Sequence, residues 1–178
     1  MNIEHAPVKD VLIFTPQSFP DTRGFFLESY RMDTYTSAGI PLISQWNHSR
    51  STQGVLRGIH VQYPTYQGKL VYVVQGAIYD VAVDLRKDSP TYGQHFAIEL
   101  SDTNHCQLWI PEGFGHAFYT LSPTADVLYG CTTYYQPNEQ YSIRYDDPEI
   151  GIDWKNYTVT GISDKDAHAP LLKDTPFA

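Results

Sequence analysis

The chain has 178 residues, 42% of them hydrophobic and 14% aromatic, which is enough for a substantial core and excludes a disordered segment. Twelve Lys and Arg against 20 Asp and Glu give a net charge of −8. With no Lys/Arg-rich run, a nucleic-acid binder is disfavoured, and any bound anion must be held by a few particular cations.

No stretch approaches the roughly 20 apolar residues of a membrane helix, and the opening MNIEHAPVKD has no apolar signal core. The two cysteines, Cys106 and Cys131, form no CxxC pair. Their spacing alone leaves a disulfide open, although a reduced chain is the plainer reading. A soluble, cytoplasmic protein with one domain over 1–178 is expected.

Strand-like runs rich in β-branched and aromatic residues follow one another. They are VLIF (11–14), GFFLESY (24–30), LISQWNHS (42–49), GVLRGIHVQ (54–62), KLVYVVQG (69–76), AIYDVAVDL (77–85), HFAIEL (95–100), CQLWI (106–110), HAFYTL (116–121) and DVLYGCTTYY (126–135). Pro20-Asp21, Gly39-Ile40-Pro41, Gln75-Gly76, Ser89-Pro90 and Pro111-Glu112-Gly113 supply turns between them. Only RMDTYTSAG (31–39) reads as a short helix, ending at a glycine. Many short strands at short intervals predict an all-β jelly-roll barrel. From Pro137 the chain turns polar and irregular, and 137–178 is expected to wrap the barrel.

Alternation assigns the faces. Asp80, Ala82 and Asp84 share one side of their strand and Val81 and Val83 the other. Val127, Tyr129, Cys131, Thr133 and Tyr135 likewise share a face, which would place Tyr129 and Tyr135 in one cavity about 20 Å apart along the backbone. Strict alternation puts Arg57 and His60 on opposite faces, because their spacing is odd. Gly58 between them predicts a bulge, and one extra residue would turn both inward.

A lone strand histidine is more often a hydrogen-bonded core residue than a catalyst. A buried arginine, however, is costly unless it is paired or faces an anion. Arg57 and His60, followed closely by Lys69, therefore suggest a concave site for something negative. LWIPEGFGHAF adds His116. These two stretches resemble the two half-motifs of the cupin barrels, many of which hold a metal through HxH, a Glu and a further His. Here Gln62 stands where the second His would be and no Glu follows at the usual interval, a poor donor set for a first-row metal, so no metal is expected. Taken singly, Tyr129 reads as a strand tyrosine at the barrel mouth, Lys69 as a snorkelling strand-end cation and Asp166 as a solvated loop carboxylate.

As a series the chain resembles the dTDP-4-dehydrorhamnose 3,5-epimerases, metal-free cupin nucleotide-sugar epimerases. The resemblance runs through DTRGFFLESY, QWNHS, GVLRGIHVQ, QGKL, YDVAVDLRKDSPTYGQ, LWIPEGFGHAF, LYGCTTYYQPNEQ, DDPEIGIDW and SDKDAHAPLL. It implies that His60 is the base that takes a sugar proton, with Asp166 or Asp80 orienting it. Tyr129 is the acid on the other face and Lys69 steadies the enolate. Arg23, Glu28, Gln45, Asn47, Arg57, His116, Glu139 and Lys165 contact a dTDP-4-keto-6-deoxy sugar, while Tyr135 stacks on the thymine. The resemblance also implies a homodimer whose N-terminal strands cross between subunits, and no cofactor.

The chemistry is consistent with those roles. Inversion beside a ketone needs a proton removed from one face and returned to the other, and an imidazole, with an unperturbed pKa of about 6.5, is a suitable base. The 4-keto group already acidifies its neighbouring C–H bonds. Trp46 replaces an aspartate found in several relatives, so it either reshapes the pocket wall or packs outward. The alternatives to a 3,5-epimerase are a C3-only epimerase, a 3,4-ketoisomerase, and a non-catalytic nucleotide-sugar-binding cupin.

Overall fold

Turn residues between the apolar runs fold each strand back on a neighbour. In the computed structural model, which describes residues 1–178, every strand pairing is antiparallel. The strands are β1 (Asn2–His5), β2 (Leu12–Thr15), β3 (Ser18–Asp21), β4 (Gly24–Leu27), β5 (Gln45–Thr52), β6 (Leu56–Gln62), β7 (Lys69–Gln75), β8 (Ala77–Asp84), β9 (His95–Ser101), β10 (Gln107–Ile110), β11 (Phe114–Thr120), β12 (Thr124–Cys131) and β13 (Gln140–Ser142). Two short helices, α1 (Met32–Ser37) and α2 (Asp164–Ala167), complete the elements used below.

One sheet runs β1-β2-β10-β7-β12-β5 and the facing one β13-β6-β11-β8-β9, with β3-β4 as a separate hairpin. Two antiparallel sheets packed face to face with long-range strand exchange make a jelly roll. Between the sheets lie Val71, Val73, Ile78, Ala82, Leu108, Ile110, Phe118, Ala125 and Val127, all buried. The outer face of the first sheet is covered by α1 and its flanks, through Phe14, Tyr35, Ile40, Leu70 and Trp109. The outer face of the second sheet is covered by the C-terminal stretch, whose Ile143, Ile150, Leu172 and Phe177 pack on Ile59, Val61, Val81, Val83 and Ala117.

Because both faces of each sheet are covered, central strands such as β11 bury every residue and the polar–apolar alternation of a one-sided sheet is blurred. The side chains between the sheets are also not uniform. At one end they are aliphatic; at the other, where β7 begins and β12 ends, they are Gln45, Asn47, His60, Lys69, His116 and Tyr129, and the space between them is open.

Several expected boundaries move. The run 24–30 is strand only to Leu27, and that at 42–49 pairs from Gln45 to Thr52. The strand expected over 126–135 is displaced to 124–131. Beyond Cys131, side-chain amides take the carbonyls that a strand would offer to a neighbour: Gln67 Nε2 donates to the Thr133 oxygen at 2.8 Å and Gln62 Nε2 to the Tyr134 oxygen at 3.2 Å.

Candidate active site

The site begins with a count of residues. His60 of β6 pairs with His116 of β11 and Arg57 with Phe118, so β6 spends three steps where β11 spends two. The extra residue is a β-bulge, and it turns Arg57 and His60 toward the same cavity. Gly58 has φ +108°, and a Cβ there would run into the His116 carbonyl oxygen and lie 2.8 Å from Ala117 Cα. A side chain at position 58 would push the two strands apart.

Behind His60 stands a carboxylate from the far end of the chain. His60 Nε2 lies 2.7 Å from Asp166 Oδ1, and Asp166 is 3% exposed. Ser163 caps α2 by accepting from the Asp166 N–H at 3.1 Å. Asp166 Oδ2 accepts from the Gly58 N–H at 3.2 Å and Oδ1 from the Ser142 hydroxyl at 3.3 Å. Burial alone would raise the Asp166 pKa, but the His60 ring and the Gly58 and Ser163 hydrogen bonds outweigh it and hold the group below its ordinary value. One carboxylate thus ties together His60, the bulge and the tail.

The cavity measures about 400 Å³ and is lined by both sheets. Lys69, at the start of β7, is buried and faces it; burial pulls its pKa down, against the opposing influence of Cys131 and Asp80. Tyr129 on β12 is half-buried, and burial, followed by Cys131, raises its pKa despite Arg57, so the phenol keeps its proton at neutral pH. His116 Nε2 lies 2.7 Å from Asp80 Oδ1. Burial lowers the His116 pKa more than Asp80 restores it, which leaves a neutral imidazole at neutral pH. Asp80 is therefore the partner of His116, and Asp166 that of His60.

Gln45, Asn47, Arg57, His60, Lys69, His116, Tyr129 and Tyr135 all line this cavity. Gln45 and Asn47 face inward by alternation along β5, and Gln45 Nε2 donates to Asn47 Oδ1 at 2.7 Å. Trp46 between them points outward, meeting Tyr30 edge-on at 5.8 Å, and so leaves the pocket wall unchanged. Tyr135 reaches the cavity from a loop; its N–H donates to Gln45 Oε1 at 2.9 Å and its hydroxyl to Gln140 Oε1 at 2.7 Å.

The other expected contact residues lie elsewhere in the chain. Lys165 lines an adjoining opening of about 410 Å³ on the Asp166 side of His60. Glu139 Oε2 accepts from the Thr65 N–H at 3.1 Å, outside the cavity. Arg23, paired with Asp21 at 2.7 Å, and Glu28 belong to the exposed β3-β4 hairpin and the residue after it, away from the cavity of their own chain.

Four wall residues escaped the sequence reading: Ser49, Gln67, Phe118 and Gln140. Ser49 continues the i, i+2 series of Gln45 and Asn47, and Phe118 that of His116, so period two would have found both. Gln67 lies off the regular strands, and Gln140 opens the three-residue β13, too short for a period to be read. Gln62 is also accounted for. Its amide spans the Thr65 and Tyr134 oxygens and accepts from the Gln136 N–H, pinning the loop that carries Tyr135. Both cysteines are free thiols.

An imidazole backed by a carboxylate, a protonated phenol and a buried lysine around one hollow define a jelly-roll enzyme built to move protons on a small polar ligand. The family model described as dTDP-4-dehydrorhamnose 3,5-epimerase matches residues 5–174. The Salmonella typhimurium dTDP-4-dehydrorhamnose 3,5-epimerase is 49% identical over 97% of this chain and 96% of its own. The crystal structure of the Legionella pneumophila dTDP-6-deoxy-D-glucose-3,5-epimerase in complex with dTDP-4-keto-L-rhamnose superposes with a TM-score of 0.93 at 47% identity, covering 97% of this chain and 93% of that one. A 3′-monoepimerase of Streptomyces bikiniensis, in complex with dTDP-quinovose, gives 0.88 at 31% identity over 94% and 86%. The chain belongs to the dTDP-4-dehydrorhamnose 3,5-epimerase family, and it is an epimerase of the cupin-like jelly-roll class.

Proposed function

We propose that His60 removes the proton from the carbon flanking the 4-keto group of dTDP-4-dehydro-6-deoxy-D-glucose and that Tyr129 returns one to the opposite face. The step is repeated at C3 and C5 to give dTDP-4-dehydro-L-rhamnose. Asp166 holds the His60 ring and balances the imidazolium that forms. Lys69 donates to the oxygen that becomes the enolate, where a preorganised cation in a dry site acts most strongly. The positioned acid and base contribute about 10²–10⁴-fold to the rate. Gln45, Asn47, Arg57 and His116 hold the sugar and the diphosphate, and Tyr135 stacks on the base. The carbonyl itself stabilises the carbanion, so no redox step enters this scheme.

The observation that carries the reading is the opening of His60, Tyr129 and Lys69 onto one cavity, with Asp166 at 2.7 Å behind the imidazole.

The same proposal includes a homodimer. Phe19, Phe25 and Phe26 on the β3-β4 hairpin are 52–69% exposed, a large apolar surface for a lone subunit. Arg23 and Glu28 on and after that hairpin would reach the partner's cavity, and Glu139 and Lys165 would meet the nucleotide at the rim. Two free thiols fit a reducing cytoplasm.

Incubation with dTDP-4-keto-6-deoxyglucose in deuterated water, read by NMR, tests the chemistry. Deuterium at both C3 and C5 with an L-configured product is expected. Label at C3 alone would make the enzyme a C3 epimerase, and no label with nucleotide still bound would leave only a binding protein.

A further inference from the structure

The His60–Asp166 contact joins positions 106 residues apart. Strand β6 grips the tail directly before and at Asp166, where the Leu56 N–H donates to the Gly161 oxygen at 2.8 Å and the Gly58 N–H to Asp166 Oδ2 at 3.2 Å, and the chain beyond Asp166 is tied back separately. The stretch 142–147 bridges the gap. Ser142 pairs with His60 in the β13-β6 ladder, and Ile143 exchanges two backbone hydrogen bonds with Ile59, at 2.9 and 3.1 Å. The Arg144 N–H then donates to the Pro170 oxygen at 2.9 Å. Asp147 closes the arrangement. It is 2% exposed; Oδ1 accepts from the Glu149 and Ile150 N–H groups at 2.8 and 3.1 Å, and Oδ2 from the Leu172 N–H at 2.7 Å. A buried carboxylate whose bonds all go to backbone N–H groups on both sides of a 25-residue loop is a clasp. Asp166 lies inside that loop, six positions before Leu172.

We propose that Asp147 is a positioning residue for the epimerisation: its carboxylate closes the 147–172 loop and so sets the distance of Asp166 from His60. This inference rests on the reading of His60 as base and Asp166 as its partner. Asp147 touches neither the cavity nor the reacting atoms and acts only through Asp166. Replacing one N–H acceptor by an amide N–H sets two donors against each other at Leu172 or Ile150, and the loop must shift to relieve them. A misplacement of about 1 Å at a catalytic group can cost about 10²-fold.

The test is a double-mutant cycle in the full-length enzyme, with kcat and KM measured for wild type, Asp147→Asn, Asp166→Asn and the pair. Asp166→Asn is expected to lower kcat about 10²-fold, within the range for a positioned acid–base pair. Asp147→Asn should lower kcat about tenfold with KM within twofold of wild type. The double variant should be no slower than Asp166→Asn, because a residue acting through another has nothing left to act on.

Equal factors for Asp147→Asn in both backgrounds, or wild-type kcat in that variant while Asp166→Asn is slow, would overturn the clasp and leave the dyad standing. Wild-type kcat in Asp166→Asn would overturn the dyad and the clasp with it. If Asp147→Asn does not fold, Asp147→Glu, which keeps the charge one methylene out of place, runs through the same cycle with the same expected coupling.

Discussion

His60–Asp166 and His116–Asp80 are the same two residue types in contact at the same 2.7 Å, yet they are built differently. His116 and Asp80 sit on neighbouring strands of one sheet, at 7% and 0% exposure, and one Asp80 oxygen, Oδ2, has no partner. Nothing has to dock for that pair to form, and its buried imidazole is held neutral. His60 is half-buried and open to the cavity, and its carboxylate arrives from α2 in the tail. One pair is fixed by the sheet and resists charging. The other opens onto the cavity and depends on the docking of the tail. Burial, more than residue type, separates the two histidines.

The largest effect should come from the open pair. His60→Asn is expected to abolish deuterium wash-in at C3 and C5, a loss of about 10²-fold or more, while nucleotide affinity measured by calorimetry stays near wild type. Tyr129→Phe should depress inversion more than the initial wash-out of substrate hydrogen, since it removes only the returning proton. Wild-type exchange in His60→Asn would mean that the open histidine is not the base, and the distinction between the pairs would collapse.

An intermediate effect, of a different kind, is expected from the closed pair. His116→Ala strips a fully buried carboxylate of its hydrogen-bond donor, a loss of about 2–3 kcal/mol for a bond to a charged group. For a chain of this size that corresponds to a melting temperature lower by roughly 5–10 °C. Turnover should fall less than in His60→Asn, with the change concentrated in KM. A variant that melts like wild type but has lost turnover as completely as His60→Asn would put both pairs in the chemistry.

The two pairs were not equally legible in the sequence. Alternation in DVAVD put Asp80 on one face with Ala82 and Asp84, but nothing local said that His116 would lie beside it. The odd spacing of Arg57 and His60 around Gly58 called for one extra residue, and the register shift opposite Ala117 supplies it. That inference needed only the period of a strand. Asp166 had no such signal: a carboxylate in SDKDAHAP looks solvated until the tail is folded onto β6, and only the resemblance singled it out. Thr132-Thr133-Tyr134-Tyr135 has strand propensity but is captured by the Gln62 and Gln67 side chains, a tertiary override of local preference. Arg23 and Glu28 were picked out by motif and lie away from the cavity in one chain, because the subunit is the wrong unit in which to look for their contacts if the enzyme is a dimer.

A third His–Asp contact lies on the outer face of the first sheet, away from the cavity. Asp126 accepts from Arg50 Nε and Nη2, each at 2.8 Å, with His48 Nε2 also at 2.8 Å. The Arg50 and His48 hydrogen bonds bring its pKa down from 3.8 to about 2. A carboxylate depressed by folding stabilises the native state fully above its unfolded value and loses that contribution as pH falls through the folded one. Asp126→Asn lacks the contribution at every pH, so a gap in melting temperature between wild type and variant at neutral pH should close between about pH 4 and pH 2. Exposed partners on a screened surface make this the smallest of the expected effects, and turnover should be unchanged. A gap that persists at pH 2 would trace the loss to packing. Slowed epimerisation in this variant would mean that the outer face of the first sheet is coupled to the cavity.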